Sequence, residues 1–498
     1  MPSSPADTDR PGAETIYWHD YETFGISPQK DRPVQFAGRR TDLELNDVGE
    51  PLMVLCRQTE DYLPHPMAAL VTGLTPQQAA EGLIEADFAR LIHDELAAPG
   101  TCGCGYNSIR FDDEFTRYLL FRNFYDPYQR EYRDGNSRWD LIDVVRLCYA
   151  LRPDGISWPR KDSGDPSFRL EDLTAANQIE HSDAHDALAD VDATIALARL
   201  LRSRQPRLFD YAFQQRRKRD VLARLTQHQP ILHVSARYPA RRGCLAVVLP
   251  VGPHPSNPNA MLAVDLAQPP DDLLSLDPDA IADRVFTPSR DLPDGVERIG
   301  VKAIAVNRAP VLAPLGVLKG VDQPRIELDL ARCLRHGEQL VAALPEVTRK
   351  LQQVFGAGSD FAPIDEADWS LYSGGFASAH DRKLAQAVRR GNPEVLGEMG
   401  DAFDDPRYAE LLLMYRARNW PQTLSPMEAE RWQAHCRDRL LRGQPSAAEQ
   451  FTAALTEARR SPSAVDQQPV LDALEDYGRQ LLSAFQPEIG TTPGATID

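Results

Sequence analysis

Two acidic residues near the beginning of the chain, Asp20 and Glu22, have the spacing of a metal-binding pair. They directly follow residues 15–19, a segment rich in residues that favour β-strands. Because alternate side chains of a strand point to the same side, the two carboxylates should project together. Carboxylate oxygens are suitable ligands for hard divalent cations. Exposed acidic pairs at strand ends are common, so this pair by itself indicates a site only weakly.

A second acidic pair, Asp112 and Asp113, begins five residues after Asn107 and opens a segment with helical periodicity. An Asp at the start of a helix is often only an N-cap, whose side chain accepts hydrogen bonds from the first backbone amides. For either Asp alone, capping and metal binding are equally good interpretations.

A third cluster combines His and Asp at the start of an amphipathic helix. His185 precedes Asp190 by five residues, and His181 precedes Asp186 by the same interval. Spacing alone does not choose between these pairs. In a third interpretation, Asp183 caps the helix and the other polar residues are solvated.

These three clusters, in this order, resemble the motifs of the DEDDh family of 3′–5′ exonucleases. That family has Asp-x-Glu, then an Asn-containing segment that ends in Phe-Asp, then His-x-Ala-x-x-Asp. The corresponding segments of this chain are residues 20–22, 107–112 and 185–190.

The third motif also separates the two competing histidines. Ala187 stands two residues after His185, as the family pattern requires, whereas an Asp stands two residues after His181. The resemblance therefore selects His185 with Asp190.

Four further segments resemble the bacterial exonuclease I branch of this family, whose members act on single strands. The likeness covers nearly the whole chain except its two ends. It implies a ribonuclease H-like α/β exonuclease domain, an SH3-like β domain and a C-terminal α-helical domain. The four segments are residues 19–25, 136–140, 167–171 and 415–419.

The resemblance also implies an activity and a catalytic set. We expect a 3′–5′ exodeoxyribonuclease of DNA repair and recombination that degrades single-stranded DNA to 5′ mononucleotides. Two Mg²⁺ ions, for which Mn²⁺ could substitute, would be the cofactors, with Asp20, Glu22, Asp112 and Asp190 as their ligands. His185 would be the general base, because an imidazole with a pKa of about 6.5 can accept a proton near neutral pH.

Further expectations concern the DNA and a protein partner. Selection of single strands requires cations and aromatic surfaces on which bases stack. The family also implies that the acidic C-terminal tail of single-stranded DNA-binding protein docks at Arg152 and Tyr211. The residues predicted to contact DNA are Phe24, Asn107, Arg138 and Arg169.

The elements that must position these residues divide into three regions. Strand-like segments followed by helical periodicity predict an α/β domain over residues 14–204, and apolar β-like runs predict a β domain over 205–357. Helical periodicity then predicts a helical domain over 358–486. Residues 1–13 are expected to form a disordered tail, and 487–498 a mobile one.

Composition excludes several classes of protein. No apolar run is long enough to span a bilayer, and the first residues do not form a secretory signal. The seven cysteines lack the spacing of a zinc site or a disulfide framework. We therefore expect a cytoplasmic protein, and the family favours a monomer.

The net charge of −18 at first argues against a nucleic-acid partner, because phosphate binding depends on Lys and Arg. Residues 199–224 nevertheless form a locally basic stretch, for which DNA binding and a solvated helix face are equally good interpretations.

Two other functions remain open at this stage. An RNA-directed or proofreading DEDDh exonuclease would share the catalytic residues, because recognition of a 2′-hydroxyl depends on pocket details. A noncatalytic nucleic-acid-binding protein on the same fold would not need four carboxylates and a His.

Overall fold

The computed structural model describes residues 14–181, 186–356, 364–460 and 467–485. The tails predicted over residues 1–13 and 487–498 lie outside these ranges. Among the helices described, none is long and apolar enough to cross a membrane. All seven cysteines lie in the described part of the chain, where each is buried and none forms a disulfide.

The first domain is built on a five-stranded sheet with the order β3-β2-β1-β4-β5. Antiparallel pairing joins β1 to β2 and β2 to β3, whereas β4 runs parallel to both β1 and β5. The strands are β1 Thr15–Thr23, β2 Pro33–Thr41, β3 Leu52–Leu55, β4 Thr101–Gly105 and β5 Ser137–Asp140.

Helices cover both faces of this sheet, and α7 packs across β1 and β2. The helices are α1 Pro66–Thr72, α2 Pro76–Ala79, α3 Glu85–Ala97, α4 Asp112–Arg122, α5 Leu141–Leu151, α6 Leu170–Ala176, α7 Ala187–Arg204 and α8 Pro206–Gln214, with 3₁₀ turns at Gln129–Glu131 and Arg133–Gly135. The next helix, α9 Lys218–Leu225, packs in the core of the second domain.

The end of β4 approaches β1 so closely that only glycine fits there. A Cβ atom on Gly105 would lie 2.6 Å from the backbone oxygen of His19, which real Cβ atoms essentially never do. The glycines of β4 lower its strand propensity, and the sequence analysis accordingly did not predict this strand.

The second domain is a five-stranded antiparallel sheet with the order β10-β6-β7-β8-β9. Helices α12 and α13 pack against β7, so they belong to this domain although they begin the helical part of the sequence. The elements are β6 Ile231–Val234, β7 Leu245–Pro253, β8 Ala260–Asp265, α10 Asp271–Ser275, α11 Pro278–Phe286, β9 Val301–Ala305, β10 Leu312–Ala313, α12 Leu330–Ala342 and α13 Leu344–Gly356, with 3₁₀ turns at Ala240–Arg242, Ser289–Asp291, Leu315–Leu318 and Pro324–Ile326.

The third domain is helical, as the sequence periodicity predicted. Helix α15 is its centre, with a buried apolar surface that includes Leu411, Leu412 and Met414. The elements are α14 Ala379–Arg390, α15 Pro406–Asn419, α16 Pro426–Leu441, α17 Ala447–Arg460 and α18 Gln468–Ser483, with 3₁₀ segments at Ala367–Trp369, Pro393–Ala402 and Pro421–Thr423.

A buried cluster of five charged side chains joins the third domain to the first. Asp61 of the first domain and Asp368 of the third are each 2.7 Å from the guanidinium of Arg418 and 2.6 Å from that of Arg439. Arg32 adds a third cation, 3.0 Å from Asp368. Burial alone would raise the pKa of both carboxyl groups, but the guanidinium groups outweigh it and hold each pKa well below its usual range. Charges buried in this way are stable only while every member is present.

The substitution Asp368→Asn should therefore destabilise the protein strongly. It would leave buried guanidinium groups without their counter-charge, at a cost of about 3–5 kcal/mol in the free energy of unfolding. Urea unfolding measures this cost. As a control, Glu410→Gln removes an exposed pair with Arg431 and should cost less than about 1 kcal/mol. Equal losses in the two variants would contradict the assignment.

Candidate active site

The carboxylates of Asp20 and Glu22 lie within β1 rather than beyond its end. The sequence predicted a strand over residues 15–19, but the strand continues to Thr23 because β2 pairs with it along its length. Asp20 stands opposite Ala37 and Glu22 opposite Gln35. The pleat therefore directs both carboxylates to one face of the sheet.

Asp190, in the first turn of α7, completes a compact acidic group on that face. Asp20, Glu22 and Asp190 each offer an oxygen, and these oxygens all lie within 4.8 Å of one another. Helix α7 begins where it does because the side chain of Asp186 accepts hydrogen bonds from Leu188 N and Ala189 N. Packing of α7 on β1 and β2 then brings Asp190 to the sheet.

Asp112 is the first residue of α4 and is held beside the strand. Its Oδ1 accepts a hydrogen bond from Tyr21 N at 3.2 Å, between the two acidic residues of β1. Its neighbour Asp113 instead forms buried ion pairs with Arg130, at 2.5 Å, and Arg138, at 2.8 Å. Neither side chain caps α4. Of the two, Asp112 belongs to the acidic site and Asp113 is neutralised by the protein.

The predicted general base, His185, lies outside the described residues. His181, its competitor by spacing, places Nε2 at 2.5 Å from Oδ1 of Asp190, and its Nδ1 is 3.2 Å from Thr174 Oγ1. The pair of His181 with Asp186 that spacing allowed does not form, because Asp186 caps α7. His181 therefore contacts Asp190, the carboxylate that the motif pairs with His185.

The acidic site holds excess negative charge in a poorly solvated place. Burial, followed by the charges of Asp112 and Asp190, raises the pKa of Asp20 well above its usual range. Burial, Asp20 and Asp190 raise the pKa of Glu22 to about 9. Within the described ranges, no Lys or Arg forms an ion pair with Asp20 or Glu22. Closely spaced carboxylates that the protein does not neutralise are a donor set suited to divalent cations.

A groove of about 1810 Å³ lies between the three domains. Its floor comes from the first domain, and its walls come from residues 305–309 of the second and 371–390 of the third. Arg138 lines the groove and is also ion-paired with Asp113, which directly follows Asp112 of the acidic site. The Lys and Arg side chains of the groove are Arg117, Arg133, Arg138, Arg216, Arg217, Lys218, Arg219, Arg308, Arg382, Lys383, Arg389 and Arg390.

Comparison with known families accounts for all three domains. Residues 17–198 match the family described as Exonuclease, residues 216–357 the Exonuclease I SH3-like domain, and residues 365–481 the Exonuclease I C-terminal domain. Exodeoxyribonuclease I of Escherichia coli K12 is 47% identical over 426 residues, which cover 85% of this chain and 89% of that protein. The chain belongs to the exonuclease I family. The resemblance inferred from the motifs and the three-domain fold expected from it are thereby confirmed.

Solved structures of exonuclease I have the same fold. Escherichia coli exonuclease I in complex with a dA16 oligonucleotide superposes with a TM-score of 0.90 at 44% identity, covering 94% of this chain and all of that one. The exonuclease I of Methylocaldum szegediense gives a TM-score of 0.88 at 46% identity with the same coverage. A complex of SSB and exonuclease I with the inhibitor CFAM gives 0.85 at 42% identity, also with the same coverage.

A more distant likeness bears on the RNA-directed alternative. Oligoribonuclease of Shewanella sp. strain ANA-3 is 23% identical over 203 residues, which cover 39% of this chain and 96% of that protein. Members of the exonuclease I family match this chain across all three domains, whereas this likeness is confined to less than half of it.

The basic stretch over residues 199–224, for which the sequence left two interpretations open, is not uniform in the structure. Arg217, Lys218 and Arg219 face the groove. Arg199 and Arg202 instead donate hydrogen bonds to backbone oxygens after β2. The stretch therefore divides between the groove and the packing of α7.

The residues predicted to touch DNA occupy different environments. Phe24 is fully buried in an apolar cluster, which argues against base stacking by its ring. Arg138 lines the groove but is also ion-paired with Asp113 and Glu131. Arg169 is 69% exposed, and Asn107 lies in a positive-φ turn tied to Asp140. DNA contacts by these four residues stay predictions.

Arg152 and Tyr211, the predicted partner-binding residues, lie where the first two domains meet. Arg152 donates hydrogen bonds to the backbone oxygens of Leu151 and Val317, and Tyr211 donates one to that of Leu312. Both side chains are partly exposed. Binding of a partner there also stays a prediction.

Sequence reasoning missed the exposed aromatic rings that the third domain contributes to the groove. Tyr372 and Phe376 are 54% and 86% exposed, and both line it together with Tyr132, at 67%. Large exposed apolar groups gathered in one groove mark an interaction site. Phe376 follows two glycines within a segment of low regularity, which gives no periodic pattern to detect.

The substitution Glu22→Gln should stabilise the protein in the absence of divalent cations. A pKa raised from 4.5 to about 9 means that folding favours the protonated carboxyl. Its contribution is therefore present below about pH 4.5 and is lost as pH rises toward 9. At pH 8 with EDTA, Glu22→Gln should raise the free energy of unfolding by about 2 kcal/mol.

Thermal unfolding at pH 5 and pH 8 measures this effect. The advantage of the variant should be small at pH 5 and should shrink at pH 8 when Mg²⁺ stabilises the parent protein. The variant Glu410→Gln, at an exposed site, provides the control for a charge change of the same size. An advantage that does not depend on pH would show that repulsion at the site is not its cause.

Proposed function

We propose that this protein is a 3′–5′ exodeoxyribonuclease that degrades single-stranded DNA to 5′ mononucleotides with two Mg²⁺ ions. Mn²⁺ should substitute, because it accepts the same oxygen ligands. The observation that carries the proposal is the convergence of the oxygens of Asp20, Glu22 and Asp190 within 4.8 Å. Membership of the exonuclease I family supplies the reaction class.

The four carboxylates would act as a cation-binding set at the scissile phosphate. When bound, the ions would neutralise charge on the phosphate and lower the pKa of the attacking water. Asp20 is a neighbour of both parts of the site, because the charges of Asp112 and Asp190 raise its pKa and its oxygen converges with those of Glu22 and Asp190. This arrangement supports Asp20 as the ligand shared by both ions.

The two histidines receive different roles in this proposal. His185, matched to the family motif, accepts the proton of the attacking water, and the bond to the 3′ oxygen breaks. His181 is a positioning residue, since it contacts Oδ1 of Asp190 and is itself held by Thr174. Hydrogen bonds to a metal-binding carboxylate fix its orientation without taking part in the reaction.

The groove would hold the single strand. Twelve Lys and Arg side chains of the described residues line it, although the protein has a net charge of −18. Exposed Tyr132, Tyr372 and Phe376 offer surfaces for base stacking. Because the walls come from the second and third domains, a nuclease with the first domain alone would lack most of it. This favours single-stranded DNA over the short RNA that the relatives confined to one domain are named for.

The cellular setting is also a proposal. A solved complex of SSB with exonuclease I supports binding of single-stranded DNA-binding protein, and the family resemblance would place its acidic tail at Arg152 and Tyr211. The protein would act on single-stranded DNA in the cytoplasm, in DNA repair and recombination. The family favours a monomer.

Degradation of end-labelled substrates tests the activity. With Mg²⁺, single-stranded DNA should lose nucleotides from its 3′ end, whereas duplex DNA and RNA should react far more slowly. EDTA should stop product release. The variant Asp20→Asn should lower the rate more than about 100-fold, because it removes a ligand shared by both ions. Equal rates on single and double strands, or activity that survives Asp20→Asn, would overturn the proposal.

Variants of the two histidines separate their roles. His185→Ala should lower kcat about 100-fold or more at every Mg²⁺ concentration and remove the acidic limb of the pH profile. His181→Ala should mainly raise the Mg²⁺ concentration required, by about tenfold, and His181→Asn should restore part of the loss. The reverse assignment would be correct if His181→Ala lowered kcat at every Mg²⁺ concentration and removed the acidic limb of the pH profile.

Binding of a C-terminal peptide of single-stranded DNA-binding protein tests the partner site. Arg152→Ala should weaken binding about tenfold, because the partly exposed guanidinium would no longer contact a carboxylate of the peptide. Isothermal titration calorimetry measures this, and thermal unfolding checks that the fold survives. Arg160→Ala, on the exposed loop after α5, is the matched control. Equal affinities for the two variants would place the partner elsewhere.

A further inference from the structure

Three cations lie together where the first domain meets the second, outside both the acidic site and the groove. They are Lys302 on β9, Arg237 in the loop after β6, and Arg110 in the turn before α4. In the part of the chain that the structure describes, none of the three side chains has a hydrogen-bond acceptor or an acidic ion-pair partner. By contrast, Arg130 and Arg138 nearby are neutralised by Asp113.

Lys302 is the most enclosed member of this group. Its side chain shares a sheet face with buried Ile304, and Nζ lies 4.5 Å from the ring centroid of Tyr238. The Tyr238 hydroxyl is 2.9 Å from Nδ1 of His233, which fixes the ring. The ammonium group is buried but has no hydrogen-bond partner. A fixed, unsatisfied ammonium is costly unless an acceptor binds to it.

The charges around Lys302 are predominantly positive. Burial, followed by the charges of Arg237 and Arg110, lowers its pKa to about 8, and among the charges that act on it only Asp265 opposes this shift. His233 is neutral near pH 7, because burial, Lys302 and Arg110 hold its pKa at about 3. The surroundings of Lys302 therefore carry a net positive charge, which suits an anionic ligand and not a cation.

The position of Arg110 indicates which anion belongs there. Arg110 is exposed and stands two residues before Asp112 of the acidic site. A strand with its 3′ end at Asp112 would carry further phosphates beside that end. An acidic peptide could satisfy the same cations, but nothing would require it to adjoin the residues that act on the 3′ terminus.

We propose that Arg110, Lys302 and Arg237 form a binding subsite for the phosphodiester backbone of the single strand, next to the acidic site. The subsite rests on the proposed function, because it takes the strand to end at Asp112. It is separate from the groove, whose lining includes none of the three residues. The β domain would thus hold the strand close to the reacting end.

The salt dependence of strand binding tests this subsite. Affinity of the full-length protein for a labelled oligo(dT) is measured by fluorescence anisotropy at several salt concentrations, with Ca²⁺ replacing Mg²⁺ to prevent cleavage. Lys302→Gln and Arg237→Gln should each lower the slope of log affinity against log salt by about 1. At low salt each should weaken binding about fivefold.

Lys302→Arg retains the charge and should retain the slope. Lys319→Gln, at an exposed Lys of the same domain that belongs neither to the subsite nor to the groove, should behave as the parent protein. An unchanged slope in Lys302→Gln would overturn the subsite. A lowered slope in Lys302→Arg as well would also overturn it, because that loss would come from disturbed packing on Tyr238. So would a loss of affinity that is seen for an acidic peptide but not for oligo(dT).

These outcomes differ from failure of the proposed function. If the parent protein did not degrade single-stranded DNA, the activity itself would be wrong. If it did, and Lys302→Gln bound oligo(dT) with the parent salt slope, only the subsite would be wrong.

Discussion

Mutual repulsion among the carboxylates of the acidic site is the constraint on which the rest of the arrangement depends. Asp20, Glu22 and Asp190 are pressed together by a central strand and a helix that packs on it, and the protein supplies no ion pair to Asp20 or Glu22 within the described residues. Burial and proximity raise the pKa values of Asp20 and Glu22. The folded chain thus retains an energetic cost that a bound cation would remove.

The cluster of Asp61 and Asp368 shows the opposite solution to the same problem. There the carboxyl groups are more deeply buried, yet three guanidinium groups hold their pKa values low. Asp113 is treated likewise by Arg130 and Arg138, one residue away from Asp112. Burial therefore does not distinguish a functional carboxylate from a structural one. The two kinds of carboxylate differ in whether the protein itself supplies a counter-charge.

Local sequence patterns predicted most elements but only part of the site. The three domains follow in the expected order, and the third is helical as its periodicity indicated. Strand β4 was missed because its glycines serve a close approach to β1 rather than strand propensity. The role of Asp113 depends on Arg130 and Arg138, which arrive from later in the chain. The residues that line the groove could not be predicted from local patterns, since its walls are separated in sequence and meet only after the domains pack.

The buried ion-pair cluster also gives the protein two electrostatic systems with different responses to ionic strength. Mobile ions screen exposed charges beyond about 8–10 Å at ordinary salt, but they hardly enter a cluster whose carboxylates have no exposed surface. Salt that loosens a polyanion from the exposed cations of the groove therefore leaves the third domain fastened to the first. The affinity for a polyanion can therefore vary with ionic strength while the arrangement of the first and third domains around it stays constant.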